Sequence, residues 1–159
     1  VKYLVFATVP DELRPVDGSD NKEILEKWAY MGRICSEQGI QLAFHNHEWD
    51  FEKKVDGLYM LDYLREHLPH EYFQPELDVG WVLAAGIDPV EEGKQINRHN
   101  FKGFRFCPLG NGNLDLPAVL KASEANYSKY IIVEQDSSEG QDSLECARIS
   151  RENLKALGW

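Results

Sequence analysis

The sequence predicts an α/β protein with a mostly parallel sheet, and two observations support this fold class. Apolar runs of strand length alternate about five times with segments whose apolar residues recur every three or four positions. Such alternation indicates parallel strands joined by helical crossovers that lie outside the sheet. The strand runs are almost continuously apolar, which is typical of strands buried on both faces. The alternation alone leaves a closed barrel and an open doubly wound sheet as alternatives.

The first β-α unit and the strand after it illustrate the pattern. Residues 1–9 predict a buried strand that a proline ends. A helix then follows a cap at Ser19 or Asp20 and ends at Gly39, before a second strand at 40–47. The apolar positions on one face of this helix are Ile24, Leu25, Trp28, Met31, Ile34 and Cys35.

The later units repeat the same order with short connections. The predicted elements are a helix at 58–68, a strand at 73–79, a helix at 88–97, a strand at 101–107, a helix at 116–125, a strand at 130–135 and a helix at 142–157. Pro89 and Pro117 lie near the start of their helices, where a missing N–H costs little.

Composition excludes several functions. The chain has 159 residues, with 17 Lys and Arg against 27 Asp and Glu, a net charge of −10. This charge argues against binding nucleic acid, which needs a basic surface, and against docking on an anionic membrane. No apolar run approaches the roughly 18–20 residues that span a bilayer. The three cysteines form no CxxC pair, so we expect a reducing, cytoplasmic location rather than a disulfide scaffold.

Polar residues cluster where the predicted strands end. His45 and His47 end the second strand, Asp78 the third, and Glu134 the last. Ligands of parallel α/β proteins bind at this carboxyl edge. Histidine suits metal binding or proton transfer, and carboxylates suit a divalent cation or sugar hydroxyls. The structural alternatives are hydrogen-bonded loop histidines, a helix-capping Asp78, and a Glu134 paired with a basic residue.

Two other features favour structural roles. The stretch GNGNLD at 110–115 precedes a helix and can bind phosphate there, but it matches neither known glycine-rich phosphate motif and is interpreted as a turn. Cys107 is interpreted as a packed thiol rather than a nucleophile.

An ordered set of segments resembles the sugar phosphate isomerase/epimerase family of the xylose-isomerase-like TIM-barrel superfamily. The segments are GIQLAFHNHEWDFEK, PELDVGW, DPV, PLGNGNLDLPAVLKA, YIIVEQD and SRENLKALG. The resemblance implies a partial (β/α)8 TIM barrel with about five β-α units and a parallel sheet. It also implies that residues 1–159 are one domain that lacks the first three or so units of the barrel.

The same resemblance implies a site for one divalent cation, Mn²⁺, Mg²⁺, Co²⁺ or Zn²⁺. Asp78 and Glu134 match the metal-binding Asp and Glu of the family. His45 and His47 match its HNH pair and are expected to orient substrate hydroxyls or to complete the metal shell. Asp50 stands where many members carry Glu, and Glu134 and Asp50 are the expected catalytic carboxylates.

One family motif is altered. The seventh strand of the family usually ends in His-x-Lys-Asp, which supplies a metal-binding His. Counting from residues 88–90 places Arg105 near that position, where it would repel a cation and bind a substrate carboxylate or phosphate. Shifting the match makes His99 the counterpart and the third metal ligand.

The resulting hypothesis is a metal-dependent sugar or cyclitol isomerase or epimerase, or a related dehydratase, that transfers a proton next to a carbonyl. A catalytically inactive sugar-binding or assembly module of the same fold is the alternative. The superfamily also contains nucleases for abasic DNA, which the net charge of −10 disfavours. Because five strands alone leave unpaired sheet edges, we expect a homo-oligomer or association with the missing N-terminal part.

Overall fold

The computed structural model describes residues 1–90 and 104–159. Contacts divide the chain into two compact units, Val1–Ala85 and Gly86–Trp159. Each unit is described by itself below.

The first unit contains five strands and three helices. They are β1 (Tyr3–Phe6), α1 (Lys22–Glu37), β2 (Gln41–His45), β3 (Lys54–Val55), β4 (Leu58–Tyr59), α2 (Met60–His67), β5 (Gln74–Glu76) and α3 (Val79–Ala84). Short 3-10 turns lie at Asp11–Leu13 and Glu48–Phe51. The second unit contains α4 (Leu116–Ala125) and α5 (Ser143–Ala156).

The main sheet is parallel, as the alternation of strands and helices predicts. Its strand order is β1-β2-β5, with α1 crossing between the first two strands and α2 between the last two. The register places Val5 beside Ala43 and His45 beside Glu76. Two neighbouring strands therefore end level with each other.

The core of the first unit forms around Trp28 of α1, whose side chain is 1% exposed. Its indole packs against Phe6, Phe44 and Phe73, each from a different strand or strand end, with ring centroids 5.5–6.3 Å apart. The indole N–H donates to the carbonyl of Leu13 at 2.8 Å. The polar atom of this large buried ring is therefore satisfied.

The start of α1 differs from the prediction of a cap at Ser19 or Asp20. Asn21 occupies the cap position without a side-chain hydrogen bond to the helix, and its side chain instead accepts from and donates to the backbone of Val16, at 2.8 and 3.0 Å. Asp20 still accepts the N–H of Lys22 at 3.0 Å. The incoming loop is thus fixed to the helix start by an amide side chain.

The hairpin β3–β4 follows from the Asp56-Gly57 pair, which the sequence analysis did not use. Both residues have positive φ, 50° and 84°. Tight two-residue hairpin turns need this conformation, which Asp-Gly adopts readily.

In the second unit α4 and α5 confirm the helices predicted at 116–125 and 142–157. Asp115 and Asp142 cap them by accepting backbone N–H groups at 3.1 and 2.8 Å. Leu116, Leu120 and Leu154 pack together between the two helices. The loop at 108–111 is fastened to α5, because Ser150 accepts the N–H of Leu109 and Asn153 donates to its carbonyl. This loop is a turn, as interpreted.

Two predicted strands are not formed in the part of the chain that the structure describes. Residues 104–107 and 130–135 are assigned to no strand. Apolar composition favours a strand, but a strand also requires a hydrogen-bonded neighbour, and neither segment forms such a ladder there. Residues 88–90 are not helical, and the rest of the helix predicted to residue 97 lies outside the described residues, as do positions 101–103. None of the described helices is long and apolar enough to cross a membrane.

Candidate metal centre

The candidate site lies at the carboxyl ends of β2 and β5. His45 is the last residue of β2, and Glu76, its neighbour in the register, is the last residue of β5. Asp78 follows two residues later at the start of α3. Adjacent parallel strands therefore bring an imidazole and two carboxylates together, as the clustering at strand ends predicts.

His45 lies between these two carboxylates and is 6% exposed. Its Nδ1 is 3.2 Å from Oε1 of Glu76, and its Nε2 is 3.8 Å from Oδ2 of Asp78. In the neutral imidazole we assign the proton to Nδ1, where Glu76 accepts it. The lone pair of Nε2 then lies on the side of Asp78.

Asp78 performs two roles with different oxygen atoms. Its Oδ1 accepts the N–H of Trp81 at 2.8 Å and caps α3, so the helix-capping alternative is confirmed for this atom. Its Oδ2 lies on the side of His45. The fully buried Asn46 fixes the backbone here, since its side chain accepts the N–H of Asp78 and donates to its carbonyl, at 2.9 and 3.0 Å.

The donor pair fits a divalent cation. A ligand atom of His or Asp lies about 2.0–2.2 Å from such an ion, so two donors 3.8 Å apart can share one ion at an open angle. A carboxylate behind the other ring nitrogen, as Glu76 provides, is the usual support of a metal-binding histidine. The same contacts would also suit a protonated imidazole between two carboxylates. In the metal-bound arrangement Nε2 carries no proton, whereas in the protonated imidazole it does.

His47 lies beside His45, with ring centroids 5.1 Å apart, as expected for alternate residues on one face. Its ring stacks on Trp49 at 4.3 Å with an interplanar angle of 7°. Trp81 lies 5.6 Å from the same ring. His47 is therefore held in an aromatic environment next to the candidate metal ligands.

Asp50, an expected catalytic carboxylate, is 4% exposed and has partners at both oxygens. Oδ1 forms an ion pair with Nη1 of Arg14 at 2.8 Å, and Oδ2 accepts the N–H of His47 at 2.8 Å. Arg14 also donates from Nε to the carbonyl of Val9 at 3.0 Å. These contacts tie the loop after β1 to the loop that carries His47, and the catalytic role of Asp50 stays a prediction.

The remaining predicted site residues lie elsewhere in the chain. Glu134 and Arg105 belong to the second unit, in segments without strand structure, and both side chains are exposed. His99 lies outside the described residues. The predictions for these three residues therefore stay predictions.

Sequence reasoning missed Glu76, Arg14 and Asn46. Glu76 had a usable signal, because it stands two residues before Asp78 at a strand end and period-two alternation places such residues on one side. Arg14 had none, since its partner Asp50 is 36 residues away. Asn46 had none either, since the backbone that it binds belongs to Asp78, 32 residues away.

The first unit has an imidazole and carboxylates at the carboxyl edge of a parallel sheet, which is the edge where α/β proteins bind their ligands. The chain is similar in fold to two solved structures of sugar phosphate isomerase/epimerases from Parabacteroides distasonis ATCC 8503. The first is 21% identical with a TM-score of 0.76 over 98% of this chain, and the second is 19% identical with a TM-score of 0.74 over 97%.

The chain spans 57% and 58% of the lengths of those two proteins. No protein-family model and no curated protein matches the sequence. The structural likeness confirms the predicted fold class, an α/β fold with a parallel sheet that forms part of a TIM barrel. It confirms the resemblance seen in the sequence at the level of fold.

Proposed function

We propose that this chain is part of a metal-dependent sugar or cyclitol isomerase or epimerase, or of a related dehydratase. The observation that carries the proposal is the position of His45, with Glu76 behind Nδ1 and Asp78 beside Nε2. Two solved structures of similar fold are described as sugar phosphate isomerase/epimerases.

His45 and Asp78 would hold the cation, with Glu134 and His99 as the further ligands proposed from the sequence. Of the two roles expected for His45 from the sequence, orienting a hydroxyl and completing the metal shell, the proposal takes the second. When bound, the cation polarises a substrate carbonyl and increases the acidity of the neighbouring C–H. Arg105 would contact a carboxylate or phosphate group on the substrate.

Glu134 is the proposed proton-transfer residue, because both carboxylate oxygens of Asp50 are occupied by protein donors. Glu134 would take the proton from carbon and return it, and His47 would orient a hydroxyl. The substrate is a small sugar or cyclitol. We place the protein in the cytoplasm, which the three unpaired cysteines Cys35, Cys107 and Cys146 support.

Metal binding tests this proposal before any substrate is known. Calorimetric titration with Mn²⁺ should give saturable binding to the wild type, and Asp78→Asn should weaken the affinity by about tenfold or more, since one anionic ligand is lost. Glu124→Gln is the control, because it removes one exposed carboxylate from α4 and should leave Mn²⁺ binding unchanged. Equal affinity of wild type and Asp78→Asn would contradict the proposed site.

The alternative is a catalytically inactive sugar-binding or assembly module. The placement of Arg105 near the family's metal-binding His favours it, since a fixed cation repels a metal ion. A dissociation constant of about 1 mM corresponds to a binding free energy of only about −4 kcal/mol. If the wild type does not bind Mn²⁺ even at about millimolar metal, this alternative is supported.

We also propose that the edge of β1 is covered in the assembled protein, by a second copy or by further β-α units. β1 pairs with β2 alone among the described strands, and Leu4 in its middle is 49% exposed. An open apolar edge of this kind favours strand pairing with another chain or segment.

A further inference from the structure

A strip of aromatic rings lies next to His45 in the first unit. We define it as Trp49, His47 and Trp81, which are in mutual contact through the His47 ring at centroid distances of 4.3 and 5.6 Å. The His47 ring in turn meets His45 at 5.1 Å. The strip therefore runs from the surface to the candidate metal ligands.

Trp49 is 42% exposed, whereas Trp28 in the core is 1% exposed. One face of the Trp49 indole rests flat on His47, at an interplanar angle of 7°. The backbone of this segment is fixed as well, because Asp50 accepts the N–H of His47 and pairs with Arg14. An exposed indole in a fixed orientation is a binding surface formed before a ligand arrives, which lowers the entropic cost of binding.

The chemistry of the strip suits a polyhydroxylated ring. Such a ring presents C–H groups on its faces and hydroxyls around its rim. Aromatic faces are electron-rich and attract C–H groups, whereas imidazole and carboxylate groups hydrogen-bond hydroxyls. A few polar groups beside an aromatic surface is the usual composition of a small-molecule site. An open-chain polyol offers the same hydroxyls but no flat C–H face.

We propose that Trp49, supported by His47 and Trp81, stacks against the ring face of the substrate, and that this contact selects cyclic over open-chain polyols. The proposal rests on the proposed function, because it assigns a subsite for the sugar or cyclitol of that reaction. It adds a residue and a selectivity that the metal ligands alone do not provide.

Two six-carbon probes with six hydroxyls test the selectivity. The first, scyllo-inositol, is cyclic with all hydroxyls equatorial, so both ring faces are C–H surfaces. The second, D-mannitol, is linear. Calorimetry on the Mn²⁺-loaded wild type should show binding of scyllo-inositol at least about tenfold tighter than D-mannitol, about 1.4 kcal/mol.

Variants at Trp49 assign this preference to the indole. Trp49→Leu should weaken scyllo-inositol binding about tenfold, and Trp49→Phe, which keeps an aromatic face, should restore most of it. Trp159→Phe is the matched control, because Trp159 packs against the leucine cluster of α4 and α5 and has no proposed contact with substrate, so it should bind as the wild type does. Circular dichroism checks that each variant is folded.

The same titrations separate this proposal from the proposed function. Trp49→Leu should keep the wild-type affinity for Mn²⁺, because Trp49 contributes no metal ligand. Unchanged scyllo-inositol affinity in Trp49→Leu, equal binding of the two probes, or no saturable binding of scyllo-inositol up to about 50 mM would overturn the stacking proposal. If the wild type shows no Mn²⁺ binding, the proposed metal site is overturned instead.

Discussion

Glu76 and Asp50 are carboxylates of the same region with different surroundings, and the difference assigns their roles. Glu76 contacts His45 at Nδ1 and sits behind the proposed ligand atom. Asp50 is bound on both oxygens, by Arg14 and by the backbone of His47. Both oxygens of Asp50 therefore bind donors that hold its own loop in place, whereas Glu76 faces the imidazole of His45.

Glu76→Gln tests the supporting role of Glu76. Gln keeps the shape and can still accept from Nδ1, but it removes the negative charge that makes the imidazole a stronger ligand. We expect Mn²⁺ affinity to fall about tenfold or more while the fold is retained. Calorimetry measures the change.

Glu66→Gln is the control for Glu76→Gln, because Glu66 is exposed on α2. If Glu76→Gln and Glu66→Gln both bind Mn²⁺ as the wild type does, Glu76 does not support a metal ligand.

At the residue scale, the sequence predicted those site residues whose positions follow from where each strand ends. His45, His47 and Asp78 were predicted to share one edge because strand ends of a parallel sheet meet, and the structure brings them together. The pairing of Asp50 with Arg14 was not predictable, since it depends on how the loop after β1 folds over the next strand end. The side chains that contact Asp50 therefore follow from the fold and not from the local sequence.

At the element scale, the sequence predicted a helix start well where a capping residue directly precedes the helix. Asp115 and Asp142 are followed at once by apolar periodicity, and their helices begin where predicted. The start of α1 lies one residue later than predicted, at a cap residue, Asn21, whose side chain makes no hydrogen bond to the helix. The segment 130–135 has strand composition without a strand, because pairing with a neighbour is not a property of composition.

Gly32 of α1 gives a test at this scale. It is buried in the middle of the helix, where a Cβ would collide with the backbone and side chain of Tyr72. Gly32→Ala should therefore lower the free energy of unfolding by about 1–3 kcal/mol, despite the gain of about 1 kcal/mol in helix propensity. Urea denaturation measures the difference.

Ser36→Ala, at an exposed position of the same helix, is the control for Gly32→Ala. Ser36→Ala should be neutral or slightly stabilising, because only propensity changes. A Gly32→Ala protein as stable as Ser36→Ala would show that α1 does not approach Tyr72 so closely.

At the scale of the molecule, the fold is that of part of a TIM barrel, and the described sheet has three parallel strands. Alternation of strands and helices sufficed to predict a parallel α/β sheet, whereas the barrel was expected only from the resemblance to the sugar phosphate isomerase/epimerase family. The sequence did not predict how many strands pair. A sheet closes only when every strand has a neighbour on both sides, and composition does not specify those neighbours.

The exposed edge of β1 leads to a prediction about assembly. If a second copy covers this edge, light scattering coupled to size exclusion should show a mass above 18.3 kDa. Leu4→Lys should shift the population towards the monomer, because charge on an edge strand opposes pairing. Leu144→Lys, at an exposed position of α5, is the control. A wild type that is monomeric at all concentrations would contradict pairing between copies.

The most direct test of the metal centre is pulsed electron paramagnetic resonance of the Mn²⁺-loaded protein. The spectrum reports nitrogen atoms bound directly to the ion. We predict a coupling from a coordinated imidazole in the wild type that weakens or disappears in His45→Gln, whereas His67→Gln on α2 leaves it unchanged. A wild-type spectrum without nitrogen coupling, or one that His45→Gln does not alter, would contradict the proposal that His45 and Asp78 hold a cation.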